Sequence, residues 1–124
     1  MNINYVKLDH IQICIPIGKE TEAKTFYLDL LGFKEIEKPD SLKANGGFWT
    51  RAGGTEIHFG VEKMDHEKSK RHPAFEVTGV NKLKEQFLSA GIKVQEEKPI
   101  PGVNRFSFFD PFNNRIEFLE KEKM

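Results

Sequence analysis

The sequence is poor in the features that mark secreted and membrane proteins. Its single cysteine, Cys14, cannot form a disulfide within the chain, which is typical of proteins kept in a reducing cytoplasm. No apolar run approaches the roughly 20 residues that cross a bilayer. The N-terminal residues MNINYVKLDH lack the apolar stretch of a signal peptide. We therefore expect a cytoplasmic protein with no disulfide and no membrane partner.

The chain also lacks an excess of charge of either sign, because 19 Lys and Arg residues balance 19 Asp and Glu residues. This balance removes the counterion-release driving force for general nucleic-acid binding and the polybasic attraction to anionic membranes. Hydrophobic residues make up 38% of the 124 residues, which is enough for one globular domain with its own core. The composition therefore predicts a single domain that binds neither nucleic acid nor membrane.

What the chain does contain is a repeat of about 55 residues, present in two copies. In the first copy, polar and apolar residues alternate over residues 10–16, and apolar residues then recur at helical spacing over 23–31. In the second copy the alternation occupies residues 72–77, and helical spacing follows over 80–90 with Asn81 as the N-cap. Each copy therefore begins with a strand and a helix.

A glycine ends each helix, and three further strands follow it in each copy. The last two strands flank a turn, at residues 52–54 in the first copy and at 110–114 in the second. The sequence therefore predicts an α+β fold of two tandem βαβββ modules whose curled mixed sheets form a concave cleft. Module one spans 7–62, a charged linker spans 63–70, and module two spans 71–121. His66, in the linker, is expected to be a surface residue.

Strand parity assigns a set of polar residues to the concave face, and four of them are candidate metal ligands. The apolar residues of the first strand in each module must face the helices, which leaves His10 and His72 on the opposite side. The same argument for the last strand of each module leaves His58 and Glu117 on that side. Three imidazoles and one carboxylate thus occupy two pairs of repeat-related positions, and such groups are typical ligands of divalent metals. We predict a metal site formed by His10, His58, His72 and Glu117.

Three other polar residues have alternative roles. Glu56 lies two residues from His58 on the same side of its strand, so either residue is a candidate for the fourth ligand. Glu56 could instead carry a proton or orient a ligand histidine. Arg105 and Arg115 could clamp an anionic group, although salt-bridged arginines are commoner.

The sequence resembles the vicinal oxygen chelate superfamily, which includes glyoxalases, bleomycin-resistance proteins and extradiol dioxygenases. The resemblance covers about residues 6 to 120. It rests on the order and spacing of four segments: LDHIQICI, FYLDLLGF, HPAFEV and DPFNNRIEFLE. By this resemblance, His10, His72 and Glu117 match the three metal-ligand positions that most metal-using members share, and His58 falls on the fourth position.

The resemblance implies a two-module, metal-dependent enzyme that acts on a small oxygen-bearing substrate. The divalent ion (zinc, nickel, manganese or iron) would act as a Lewis acid on two adjacent substrate oxygens, in a lyase, dioxygenase or thiol transferase reaction. The catalytic residues implied are Glu117, His58 and Glu56. Glyoxalase I usually carries a glutamate at the fourth ligand position, and this chain has His58 there.

The resemblance also supports a second function and an oligomeric state. Bleomycin-resistance relatives keep the fold and bind a compound without a metal, and the aromatic residues Phe48, Trp49, Phe106 and Phe108 would favour stacking if they reach the cleft. The alternative function is therefore a metal-free module that sequesters a small molecule. Two-module relatives commonly pair, so we expect a homodimer, with or without exchange of modules.

Overall fold

A computed structural model describes residues 1–65 and 67–123. The prediction that His66 is a surface residue falls outside these described residues. The chain divides into two compact units, a first unit of residues 1–65 and a second unit of residues 66–124. Within the described residues, none of the helices combines the length and the apolar character that a bilayer-spanning segment requires.

The first unit is a four-stranded mixed sheet with one helix between its first two strands. The strand order is β1-β4-β3-β2, in which β1 runs parallel to β4 and the other neighbours are antiparallel. The helix starts as α1 and continues as a π-helix. The elements are β1 His10–Pro16, α1 Glu20–Lys24, the π-helix Thr25–Leu30, β2 Lys34–Ile36, a 3-10 helix Asp40–Asn45, β3 Phe48–Ala52 and β4 Thr55–Glu62.

The second unit repeats this topology. Its strand order is β5-β8-β7-β6, again with one parallel pair, β5 with β8, at the start of the sheet. The elements are β5 Ala74–Glu76, α2 Val80–Ser89, β6 Val94–Glu96, β7 Val103–Phe109 and β8 Arg115–Lys121. The predicted α+β fold of two βαβββ modules is confirmed.

The strand register supports the predicted correspondence between the two copies. His58 pairs with Gln12 of β1, and Glu117 pairs with Ala74 of β5. His10 and His72 each lie two residues before these partners, so they occupy equivalent positions in the two sheets.

His72 differs from the prediction in one respect, because β5 begins at Ala74 and leaves His72 just outside the strand. Pro73 is the reason, since proline has no N–H to donate to the sheet. Its carbonyl still accepts a hydrogen bond from the Glu117 N–H at 3.0 Å, which keeps this segment beside β8.

The helix start predicted in the second copy is wrong by two residues. Helix α2 begins at Val80 with Gly79 as its N-cap, so Asn81 lies inside the helix. Glu120 of β8 supplies the cap from a distance in sequence. Its carboxylate accepts hydrogen bonds from the N–H groups of Gly79 and Val80 at 3.0 and 3.1 Å.

Aromatic rings fill the core of each unit. In the second unit, Phe87 of α2 packs edge-on against Phe106, Phe108 and Phe118 at centroid distances of 4.9 to 5.9 Å. In the first unit, Phe48 and Phe59 stack at 4.6 Å. Of the four aromatic residues considered for cleft stacking, Phe48, Phe106 and Phe108 are therefore core residues. Each lies opposite an apolar residue of the neighbouring strand, which fixes it on the core face.

Candidate functional site

In the first unit, strands β1, β4 and β3 bring three flat rings into one stack. The His10 and His58 rings lie 4.1 Å apart with planes 18° from parallel. Trp49, opposite His58 in β3, covers the other face of that ring at 3.7 Å and 5°. His58 is consequently 6% exposed. The nitrogen lone pairs of stacked rings lie in parallel planes, so one ring must rotate before both bind a single ion.

In this stack, a carboxylate lies within hydrogen-bonding distance of one nitrogen of each histidine ring. His10 Nδ1 lies 2.8 Å from Asp9 Oδ2, and this hydrogen bond holds the pKa of Asp9 below its usual value. Because a carboxylate accepts, Nδ1 carries the proton and Nε2 of His10 is left for a ligand. His58 Nε2 lies 3.0 Å from Glu56 Oε1, whose other oxygen receives a bond from Arg51 at 3.3 Å. Glu56 therefore orients His58.

In the second unit, His72 faces Glu117 at the start of the sheet. His72 Nε2 lies 3.2 Å from Glu117 Oε1, and Nδ1 lies 2.8 Å from the Lys70 carbonyl oxygen. A carbonyl only accepts hydrogen bonds, so Nδ1 must carry the proton in neutral His72. The lone pair of Nε2 then faces a carboxylate oxygen, and two acceptors in this position require a cation between them. That cation is either a proton on His72 or a metal ion.

The separation of these two atoms fits ligands of one metal ion. Metal–nitrogen and metal–oxygen bonds of 2.0 to 2.2 Å put neighbouring ligand atoms about 3.0 Å apart at right angles and about 3.4 Å apart in a tetrahedron. The observed 3.2 Å lies between these values. The hydrogen bond to Lys70 is also the kind of support that metal-binding histidines commonly have.

Glu117 has an additional partner, Arg105 of β7. Arg105 Nη1 lies 3.2 Å from Glu117 Oε1, and Nη2 donates to the Lys98 carbonyl at 2.8 Å. The side chain of Glu117 is 6% exposed and that of Arg105 17%. Arg105 is therefore salt-bridged, the commoner of its two predicted states.

Sequence reasoning missed Glu97, which organises the neighbouring polar residues. Its Oε1 accepts hydrogen bonds from the Ser107 hydroxyl and from Arg115 Nη2. These two bonds, the one from Ser107 first, lower the pKa of Glu97. Strand parity could have placed Ser107 at this site, because Ser107 pairs directly with Glu117 and therefore lies on the same face of the sheet. Glu97 follows β6 in the acidic segment QEEKP, and no sequence signal separates it from Glu96 beside it.

The structure thus groups the predicted site residues as two pairs, His10 with His58 and His72 with Glu117, each within its own unit. Over residues 1–65 and 67–123, no three His, Cys, Asp or Glu side chains are grouped as metal ligands. Glu56 contacts His58 of the first pair. The pair that fits a metal directly is His72 and Glu117.

Comparison with known proteins identifies the class to which this fold belongs. Residues 7–118 match the model of the Glyoxalase/Bleomycin resistance protein/Dioxygenase superfamily, and the chain belongs to this superfamily. A comparison with curated proteins finds no significant match. The resemblance in the sequence is therefore confirmed at the level of the superfamily.

Solved structures give a similar result. A protein of Bacillus anthracis assigned to the glyoxalase family is 41% identical, with 98% of this chain and 100% of that chain covered and a TM-score of 0.90. A mutant of the fosfomycin resistance protein FosX from Listeria monocytogenes, complexed with Mn(II) and 1S,2S-dihydroxypropylphosphonic acid, is 19% identical (98% and 95% covered, TM-score 0.76). TnmS3, an antibiotic binding protein from Streptomyces sp. CB03234, is 18% identical (95% and 100% covered, TM-score 0.69). The last two likenesses concern the fold alone.

Proposed function

We propose that this protein is a metal-dependent enzyme acting on a small substrate that offers two adjacent oxygens. The proposed ligands are His10, His72 and Glu117, and the ion is one of zinc, nickel, manganese or iron. A bound divalent ion supplies Lewis-acid polarisation of the substrate oxygens in a lyase, dioxygenase or thiol transferase reaction. The proposal also includes a cytoplasmic location and a homodimeric assembly.

The observation that carries this proposal is the contact between His72 Nε2 and Glu117 Oε1 at 3.2 Å. Glu117 is almost fully buried, and burying a carboxylate is costly unless a positive charge compensates it, a role that Arg105 fills in this structure and that a divalent ion could take over. The Lys70 carbonyl leaves Nε2 of His72 as an acceptor directed at that carboxylate. A divalent cation compensates the carboxylate and accepts the nitrogen lone pair at the same time. The Mn(II) complex of FosX supports a divalent ion within this fold.

We assign His58 the role of proton carrier rather than fourth ligand. Trp49 and His10 cover both faces of its ring, and Glu56 holds Nε2 at 3.0 Å. This arrangement keeps the ring in a fixed orientation, and Glu56 compensates the positive charge when the imidazole takes up a proton. Glu56 is in this view a catalytic partner of His58.

The metal-free binding module is the weaker alternative. The antibiotic-binding function of TnmS3 favours it, but three of the four aromatic residues proposed for stacking lie in the core. The fourth, Trp49, already has one face against His58. An aromatic compound would therefore find at most one indole face from this set.

The proposal is tested by melting the protein with and without a chelator. A ligand at 100 times its dissociation constant stabilises a fold by about 2.7 kcal/mol, so chelation should lower the wild-type melting temperature by several degrees. Glu117→Gln keeps the size of the side chain and removes its charge, so the variant should melt at the same temperature with and without chelator.

Glu56→Gln is the control for this experiment. Glu56 contacts His58, which is not one of the proposed ligands, so this variant should keep most of the chelator-dependent shift. Identical melting of the wild type in both conditions, with no metal found by elemental analysis, would favour the metal-free module. A larger loss of the shift in Glu56→Gln than in Glu117→Gln would show that the ligand set is wrong.

A further inference from the structure

Two nitrogen atoms approach a single oxygen of Glu117, one from His72 and one from the guanidinium of Arg105. His72 Nε2 and Arg105 Nη1 each lie 3.2 Å from Oε1. The guanidinium is a permanent cation, so it neutralises the carboxylate that the proposed metal ion would use. Arg105 and a metal ion would therefore compete for the negative charge of the Glu117 carboxylate.

Arg105 has a second contact that would hold its side chain in place if the ion pair with Glu117 were broken. Its Nη2 donates to the backbone carbonyl of Lys98 at 2.8 Å, a contact that does not involve Glu117. Its Nε is buried, and among the residues that the structure describes it finds no hydrogen-bond acceptor. Once Glu117 turns to a metal ion, this guanidinium keeps one backbone contact and loses its counter-ion.

The neighbouring charges do not replace that counter-ion. Glu97, a half-buried carboxylate of this group, is hydrogen-bonded to Ser107 and paired with Arg115. With a divalent ion bound, the carboxylates of Glu97 and Glu117 would face the guanidiniums of Arg105 and Arg115 and the two charges of the ion. This group would then carry a net positive charge. A partly buried guanidinium in this excess of positive charge requires an anion.

We propose that Arg105 competes with the metal ion for Glu117 and that, once released, it binds an anionic group of the substrate. This inference rests on the proposed function and narrows its substrate class to molecules that carry a carboxylate, phosphate or phosphonate. The planar guanidinium donates two parallel hydrogen bonds to such groups, which a neutral carbonyl compound cannot accept in the same way.

The first test measures the affinity of metal-free protein for Mn²⁺ by calorimetry. Arg105→Met removes the rival cation, so Mn²⁺ should bind about tenfold more tightly, while the metal-free variant should melt at a lower temperature than the wild type. Arg105→Lys keeps the charge and should bind Mn²⁺ close to the wild-type affinity. A lower melting temperature combined with a higher affinity for Mn²⁺ indicates competition, because the loss of a merely structural residue would not raise the affinity for Mn²⁺.

Arg71→Met is the matched control, because Arg71 lies next to His72 but contacts Ser69 instead of Glu117. It should leave the affinity for Mn²⁺ unchanged. Unchanged or weaker Mn²⁺ binding by Arg105→Met, with normal binding by the wild type, would overturn the competition and leave the proposed function intact. Absence of Mn²⁺ binding by the wild type and every variant would overturn both.

The second test measures the binding of small probes to Mn²⁺-loaded protein. Methylphosphonate and acetate represent the two anion chemistries, and acetamide is the neutral match for acetate. The wild type should bind at least one anion more tightly than acetamide, and Arg105→Met should bind that anion about tenfold more weakly. The probe that binds more tightly shows whether the substrate group recognised by Arg105 is a carboxylate or a phosphonate. Equal binding of anions and acetamide, or equal binding by wild type and Arg105→Met, would contradict an anion-binding role for Arg105.

Discussion

Trp49 is the only tryptophan of the chain, and its position makes it a reporter of the first histidine pair. The indole and the His58 imidazole are stacked with nearly parallel planes, 3.7 Å apart at 5°. His58→Ala uncovers one face of the indole to water, so the emission maximum of Trp49 should move to longer wavelength. His72→Ala, which changes the second unit, serves as the control. Equal emission maxima for wild type and His58→Ala would show that the stack does not form in solution.

Glu97 gives the second residue-scale prediction, which concerns pH. Hydrogen bonds from Ser107 and Arg115 lower the pKa of Glu97 in the folded state. A carboxyl with a depressed pKa contributes stability that is present above its unfolded value, about 4.3, and is lost as the pH falls through the folded value.

Glu97→Gln should therefore be less stable than the wild type by about 2 kcal/mol at pH 7, because the charged hydrogen bonds to Ser107 and Arg115 are lost. The difference should shrink as the pH falls below about 4.3. Urea unfolding at several pH values measures both effects. A difference that stays constant down to pH 3 would contradict the ionised, paired state of Glu97.

At the scale of elements, helix α2 depends on a carboxylate from another element. Glu120 of β8 accepts hydrogen bonds from the Gly79 and Val80 N–H groups, and these bonds lower its pKa. Glu120→Ala leaves these donors without their acceptor, so the variant should melt below the wild type at pH 7. Glu122→Ala, two residues on, removes a carboxylate with no such bond among those described and should melt like the wild type. Equal melting of both variants would mean that solvent caps the helix equally well.

The same helix shows where sequence patterns stop being informative about elements. Periodicity predicts the existence of α2 and of the strands around it, because the apolar residues that fill the core carry that signal. Asn81 matched the local preference for an N-cap, yet the acceptor comes from Glu120, about forty residues away. The start of β5 at Ala74 likewise depends on Pro73 and its pairing with β8. Element ends of this kind are decided by tertiary contacts.

At the scale of the whole molecule, the repeat made the fold and part of the site predictable. Strand parity places His58 and Glu117 opposite the core-facing residues of their strands, and the register shows that His10 and His72 are equivalent. Parity could not predict that Trp49 stacks on His58, or that Glu97 reaches Ser107 and Arg115. These contacts depend on side-chain rotamers and on loop paths, which residue spacing does not encode.

The proposed divalent metal site uses His72 and Glu117, together with His10, as ligands. The most direct test is to titrate metal-free protein with Mn²⁺ and count the ions bound per chain. We predict one ion per chain for the wild type and a large loss of affinity for His72→Ala, because the imidazole supplies a ligand atom. A wild type that binds no ion, or a His72→Ala variant that binds Mn²⁺ as the wild type does, would contradict this proposal.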